Sequence, residues 1–170
     1  MKPDSFDEKY NEQVKDYYRK IEDYDWVDVT DNWKGLESII HKNRERVVKK
    51  LIKKFGRGQY LDVGCGTGLI LRHLPQGSWA IDINPRNIAR VKKYVPEAKI
   101  TLGDAEALPY QDNQFDTVIC TETLEHLVRS DKALSEIKRV LKVGGVLIGS
   151  VPRRSLVWRF RFLSSTHPHD

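Results

Sequence analysis

Residues 60–68 read Tyr-Leu-Asp-Val-Gly-Cys-Gly-Thr-Gly, and Leu69-Ile70-Leu71 follow. Four residues of strand character run into a turn with glycine at 64, 66 and 68, and the apolar run beyond reads as the opening of a helix. Glycine serves where a backbone turns tightly and a ligand must approach with no Cβ in the way. The N–H groups of such a loop, with a helix N-terminus behind it, face an anionic or polar ligand group. Taken alone, the spacing also fits a strand-to-helix turn that binds nothing.

Outward from this loop, strands and helices alternate. Leu69–Leu74 is expected as the first crossover helix and Trp79–Asp82 as the second strand. Asn84 caps a helix with Pro85 at its first position, and Pro96 ends it. Lys99–Leu102 reads as the third strand. The apolar run Phe115–Cys120 reads as the fourth, covered on both faces. Ser130 is expected to cap a helix that buries Ala133, Leu134, Ile137, Val140 and Leu141, and Gly144-Gly145 turns the chain into a fifth strand, Val146–Ser150. Upstream, residues 6–31 mix aromatics with acids and read as one helix and an irregular segment. Leu36, Ile40, Val47, Leu51 and Phe55, widened by Ile39, Val48 and Ile52, predict the buried stripe of a helix over 33–55, stopped by Gly56-Arg57-Gly58. Repeated strand–helix–strand units predict an α/β fold with a parallel sheet and right-handed crossovers. Ligands bind such sheets beyond the carboxyl ends of the strands.

The 170 residues fit one domain with its own core. No apolar run is long enough to span a membrane, and the first residues lack the apolar core of a signal peptide. Cys65 and Cys120, the only cysteines, fall where buried residues are expected, so free thiols and a cytoplasmic protein are anticipated. The net charge of +5 is uneven. Residues 1–31 hold ten acids against five Lys/Arg, residues 41–58 hold eight Lys/Arg against Glu45, and residues 137–169 hold seven Lys/Arg and no acid. Such a distribution could attract RNA or another anionic partner, or could simply be a solvated face.

Polar residues stand at four consecutive strand ends. Asp62 closes the first strand. Asp82, twenty residues on, closes the second, where an acid can accept from both hydroxyls of a ribose. Gly103-Asp104-Ala105-Glu106 follows the third, placed to meet an adenine edge. Cys120-Thr121-Glu122 and Leu124-Glu125-His126 follow the fourth. Four such ends together describe a convergent polar site.

The chain resembles a class I S-adenosylmethionine-dependent methyltransferase, most of all the small-molecule group that includes ubiquinone- and menaquinone-pathway enzymes. The resemblance rests on 61–68, Ile81-Asp82-Ile83-Asn84, Gly103–Pro109, Phe115-Asp116, Leu124-Glu125-His126 and Arg139–Gly145, and spans about residues 47–152. It implies a three-layer α/β/α Rossmann-like methyltransferase sheet and S-adenosylmethionine as cofactor. Asp62 and the loop Gly64, Cys65, Gly66 and Gly68 would belong to the cofactor site, the loop holding its methionine part. Asp82 would bind the ribose, with Ile83 packing on the adenine. Asp104 would take the adenine amino group, with a backbone contact from Ala105, and Thr121 would lie near the transferred methyl. A dinucleotide-binding enzyme would want glycine where Leu69 stands.

For an oxygen or nitrogen acceptor, His126 is the candidate base. Glu122-Thr123-Leu124-Glu125-His126 also resembles a metal-binding motif of some RNA and quinone methyltransferases, to which His167 or His169 could add a ligand; no metal ligand is assigned. Family sheets carry seven strands, whereas this chain ends about twenty residues after the fifth, so a C-terminally shortened sheet of about five parallel strands is expected, the final hairpin missing. Its last strand would be an open edge, covered by the tail or by self-association. The domain is divided as a lid over 1–45, a cofactor-binding core over 46–152 and a basic tail over 153–170. Tyr10, Tyr17, Tyr18 and Trp33 are the expected lid residues of the acceptor pocket. Methyl transfer to a small molecule is the leading function. RNA methylation and a non-catalytic subunit of the same fold stay open.

Overall fold

The structure, a computed structural model, describes residues 5–21, 24–32 and 35–151. Trp33 and the segment 152–170, with Trp158, Phe160, Phe162, His167 and His169, lie outside the described residues. Five strands form one parallel sheet in the order β3-β2-β1-β4-β5: β1 Tyr60–Val63, β2 Trp79–Asp82, β3 Lys99–Leu102, β4 Phe115–Thr121 and β5 Leu141–Ser150. The chain builds β1 to β3 outward on one side, then crosses to β4 on the other. Leu61 therefore faces Trp79 on one side and Val118 on the other. This reversal beside β1 opens the crevice in which α/β sheets bind ligands.

The central strands are apolar because both faces are covered. Leu61, Val63, Ile81, Phe115 and Val118 share one cluster with Ile137 and Val140 of α5 (Ser130–Val140). Ile119 and Ile148 share another with Val48 and Ile52 of α3 (Gly35–Phe55). α4 (Pro85–Tyr94) begins as its sequence predicts. Asn84 takes the Arg86 N–H at 2.9 Å, and Pro85 supplies no donor that would need a partner.

Four local expectations fail. The first crossover is a single 3-10 turn, Leu71–His73, cut short by Pro75. Ser130 is the first helical residue of α5, with Arg129 at the cap position and no side-chain cap bond. Leu134 of α5 is exposed. β5 begins at Leu141 rather than Val146, and Gly144 (φ +76) sits in a bulge where the register with β4 jumps from Phe115–Leu141 to Thr117–Val146. The 6–31 segment is also more ordered than expected. It holds α1 (Ser5–Lys20) and a second short helix, α2 (Trp26–Asp31), capped by Asp25.

α3 keeps only part of the expected stripe inward. Val48 and Ile52 are buried, but Ile39, Ile40, Val47 and Phe55 are exposed. The inward face is completed by polar groups instead. His41 lies 2.9 Å from the Tyr24 hydroxyl, and Glu45 takes a 2.8 Å bond from Arg72 and pairs with His73. Satisfied polar contacts seat this helix where periodicity alone predicted apolar ones.

Candidate functional site

The glycine loop is held by β2. Gly64 and Cys65 donate to the Ile81 carbonyl at 2.8 and 3.1 Å, and Gly68 donates back to Cys65 at 3.0 Å. Gly66 donates to Asp82 Oδ2 at 2.8 Å, so the loop and the acid at the end of β2 form one unit. Gly64 (φ +70) admits no side chain: a Cβ there would lie 2.3 Å from Thr123 Oγ1. At Gly66 (φ +54) a Cβ would meet the Trp26 ring at 3.3 Å. The loop is thus packed between the segment after β4 and helix α2. The Val27 N–H donates to Thr67 Oγ1 at 3.3 Å from the same helix.

Three carboxylates end the neighbouring strands. Asp62 is 2 % exposed, and its Oδ2 has no hydrogen-bond partner. Burial, reinforced by the charge of Asp82, pushes its carboxyl up to about 7. Asp82 is also shifted upward by burial, opposed by N–H bonds from Asn84 and Gly66 and by the Asn87 amide. Asp104, after β3, accepts the Glu106 N–H at 2.8 Å. Ile83 and Ala105 are half-buried beside these acids, and Ala105 packs on the central cluster. Thr121 ends β4, and its carbonyl takes the Thr123 hydroxyl at 3.2 Å. Both cysteines are free and buried. Burial raises the Cys65 thiol far above its usual range and the Cys120 thiol to about 12, so neither is a nucleophile at neutral pH.

Helix α1 spans the carboxyl edge from β3 to β4. On the β3 side Lys15, 8 % exposed, places Nζ 2.7 Å from Asp104 and 2.8 Å from Glu106, and Asn11 donates to the same Glu106 oxygen at 2.9 Å. On the β4 side the Tyr18 hydroxyl lies 2.8 Å from His126 Nδ1. The C-terminal carbonyls of Tyr18 and Ile21 accept from the Asn84 amide at 3.0 and 3.2 Å. His126 belongs to a 3-10 turn, Leu124–His126, and borders a groove of about 510 Å³ lined in part by Tyr10, Tyr17, Tyr18 and Leu127.

Glu122 (φ +52) turns away from that groove. It pairs with Arg44 at 3.2 Å and accepts the Ser150 hydroxyl at 2.9 Å. The residues of the Glu-x-x-Glu-His stretch therefore do not share one helical turn. Among the described residues no group of three His, Cys, Asp or Glu side chains could hold a metal ion. No helix among them is long and apolar enough to cross a membrane.

Sequence reasoning missed Lys15, Asn11, Trp26 and Thr123. Only one signal was available: Asn11, Lys15 and Tyr18 recur at helical spacing, a polar stripe on a helix otherwise expected to bury aromatics.

A parallel sheet of this order, with a glycine loop at its reversal and acids along its carboxyl edge, defines a Rossmann-like α/β protein of the methyltransferase type. The chain belongs to the family described as "Methyltransferase domain", whose model matches residues 61–149, just over half of its length. It is similar to a probable S-adenosylmethionine-dependent methyltransferase of Mycolicibacterium smegmatis, 28% identical over 121 residues, covering 69% of this chain and 47% of that protein. It is 34% identical over 113 residues to the chloroplastic 2-methyl-6-phytyl-1,4-hydroquinone methyltransferase of Spinacia oleracea, covering 61% of this chain and 32% of that one. The chain thus spans half or less of the length of these relatives. Among solved structures, a Thermotoga maritima S-adenosylmethionine-dependent methyltransferase described as a possible histamine N-methyltransferase superposes with a TM-score of 0.62 at 24% identity, covering 81% and 68% of the two chains. At that identity the likeness is one of fold.

Proposed function

We propose that this chain is an S-adenosylmethionine-dependent methyltransferase acting on a small aromatic or apolar acceptor. One observation carries the reading: Asp82 is locked to the glycine loop through the Gly66 N–H. That bond holds an acid that could take a ribose beside a loop whose Gly64 leaves no room for a Cβ.

The donor chemistry fits the cofactor. S-adenosylmethionine offers an ammonium group, a ribose diol and an adenine amino group, and this edge offers three carboxylates. Asp62 Oδ2, buried and without a donor, suits the ammonium. Asp82 would hold the ribose with Ile83 against the adenine. Asp104 and the backbone of Ala105 would take the adenine edge. Cys65, Gly68 and Thr121 would border the methionine part. When bound, the cofactor supplies an activated methyl on a sulfonium, so the protein has mainly to place the acceptor in line, an effect worth roughly 7–11 kcal/mol. The groove between Tyr10, Tyr17, Tyr18 and His126 would seat a flat acceptor against aromatic faces. His126 would accept the acceptor's proton there, oriented by Tyr18. The hydroquinone in the spinach relative's name agrees with such an acceptor.

Methylation of RNA is a second reading, favoured by the exposed row Arg46, Lys49, Lys50, Lys53 and Lys54 on α3. The two are separated by a turnover screen with radiolabelled cofactor against hydroquinones, catechols and total RNA. Labelling of a small phenol supports the first reading; labelling of RNA, with binding that weakens steeply with salt, replaces it.

A further inference from the structure

Lys15 stands out because a lysine is rarely buried, and this one is held by two carboxylates from another part of the chain. Burial lowers its pKa, but the hydrogen bonds it donates to Asp104 and Glu106, with their charges, outweigh that and raise it, so the ammonium stays charged. Glu106 is 1 % exposed, and its second oxygen, Oε1, has no partner. Asp104 spends one oxygen on the Glu106 N–H and the other on Lys15. Each oxygen of the acid proposed for the adenine amino group thus already accepts one bond while α1 is down, and the lysine lies beside it. The helix is also held unevenly. Its C-terminal end is tied to the start of α4 by Asn84 and by Arg86, which donates to Lys20 O at 2.9 Å. On the β3 flank Lys15 and Asn11 hold it to Asp104 and Glu106.

We propose that Lys15 is the gate residue of the cofactor site. Its ammonium latches α1 over the adenine end of the crevice, and S-adenosylmethionine enters and leaves only when the pairs to Asp104 and Glu106 open. α1 pivots on its anchor at Asn84. Once the adenine amino group has claimed Asp104, Lys15 keeps Glu106 as its partner, so the same residue closes the helix over the bound cofactor. The latch slows both directions of exchange and leaves affinity little changed. This inference rests on the cofactor reading above, and its test separates the two.

The test compares the wild-type chain with Lys15→Met and, as a second way to weaken the latch, Glu106→Gln. Amide hydrogen exchange without cofactor reads the latch directly: α1 is expected to exchange at least tenfold faster in Lys15→Met while the sheet stays protected. Stopped-flow binding of S-adenosylhomocysteine is expected to give association and dissociation rates both raised about tenfold or more, with Kd within threefold. Unchanged α1 exchange in both variants overturns the latch. Faster exchange with unchanged binding rates, or loss of binding by a folded variant, overturns the gate and makes Lys15 a structural or a cradle residue. Wild-type protein that binds no S-adenosylhomocysteine refutes the cofactor reading, and with it the gate, while the exchange data still report the latch.

Discussion

The Tyr18 hydroxyl meets His126 Nδ1 at 2.8 Å across 108 residues of sequence, with ring centroids 5.2 Å apart. The pair joins the lid helix to the turn after β4 at the edge of the proposed acceptor groove. His126→Ala is expected to lower kcat by about 10²-fold or more, the usual scale of general-base catalysis. Tyr18→Phe keeps the ring and loses the bond, so it should lower kcat about tenfold with little effect on cofactor binding. Steady-state kinetics across pH on an acceptor found by the turnover screen test this: the limb of the profile assigned to the base should vanish in His126→Ala. A His126→Ala enzyme with unchanged turnover removes His126 from the chemistry.

The contact between Gly64 and Thr123 predicts a specific rescue. Gly64→Ala adds a Cβ 2.3 Å from Thr123 Oγ1 at φ +70. Strain and overpacking together should cost about 2–4 kcal/mol. Thr123→Ala on top of Gly64→Ala should recover about half of that, because the steric part is relieved and the backbone part is not. Urea unfolding of the two single variants and the double variant gives the coupling. Strict additivity would mean that the two residues do not touch in solution.

Asp62 predicts a pH dependence. Its carboxyl rises from 3.8 to about 7, chiefly through burial. A raised acid takes up a proton on folding between the two values, so its contribution is best below about pH 4 and worsens as pH rises towards 7. Above that window the penalty reaches about 4 kcal/mol. Asp62→Asn removes the titrating group at nearly constant shape. Without cofactor, its melting temperature should exceed that of the wild type at pH 8, and the gap should close at pH 4. Parallel profiles for the two proteins would contradict the assignment.

How much of this was legible in the sequence varied with the range of the interactions. The first four strands, the turn at the glycine loop and the Asn84-Pro85 helix start are decided by neighbours within a few residues, and they read correctly; the fifth strand was read five residues short at its start. The face of α3 did not, because His41 and Glu45 point inward to partners at Tyr24, Arg72 and His73, whose positions only the fold supplies. The crossover after the glycine loop looked helical from Leu69-Ile70-Leu71, yet those residues are buried by the sheet and by α4 rather than by a helix of their own. Lys15 was invisible for the same reason. Its acids lie about ninety residues away, and the local stripe of Asn11, Lys15 and Tyr18 does not say which partners it would meet.

β5 is an edge among the described residues, with Leu147 and Val143 exposed along it. Such an edge invites a further strand. Pairing with a second copy of the chain through this edge is expected. Light scattering combined with amide exchange should find a dimer with protected β5 amides. A monomer whose β5 amides exchange freely contradicts it.

The most direct test of the central claim is calorimetric titration with S-adenosylmethionine and S-adenosylhomocysteine, with Asp82→Ala as control. Micromolar binding by the wild type is expected, weakened at least a hundredfold in the folded control. A folded wild-type chain that binds neither compound, or an Asp82→Ala chain that binds as well as the wild type, would contradict it.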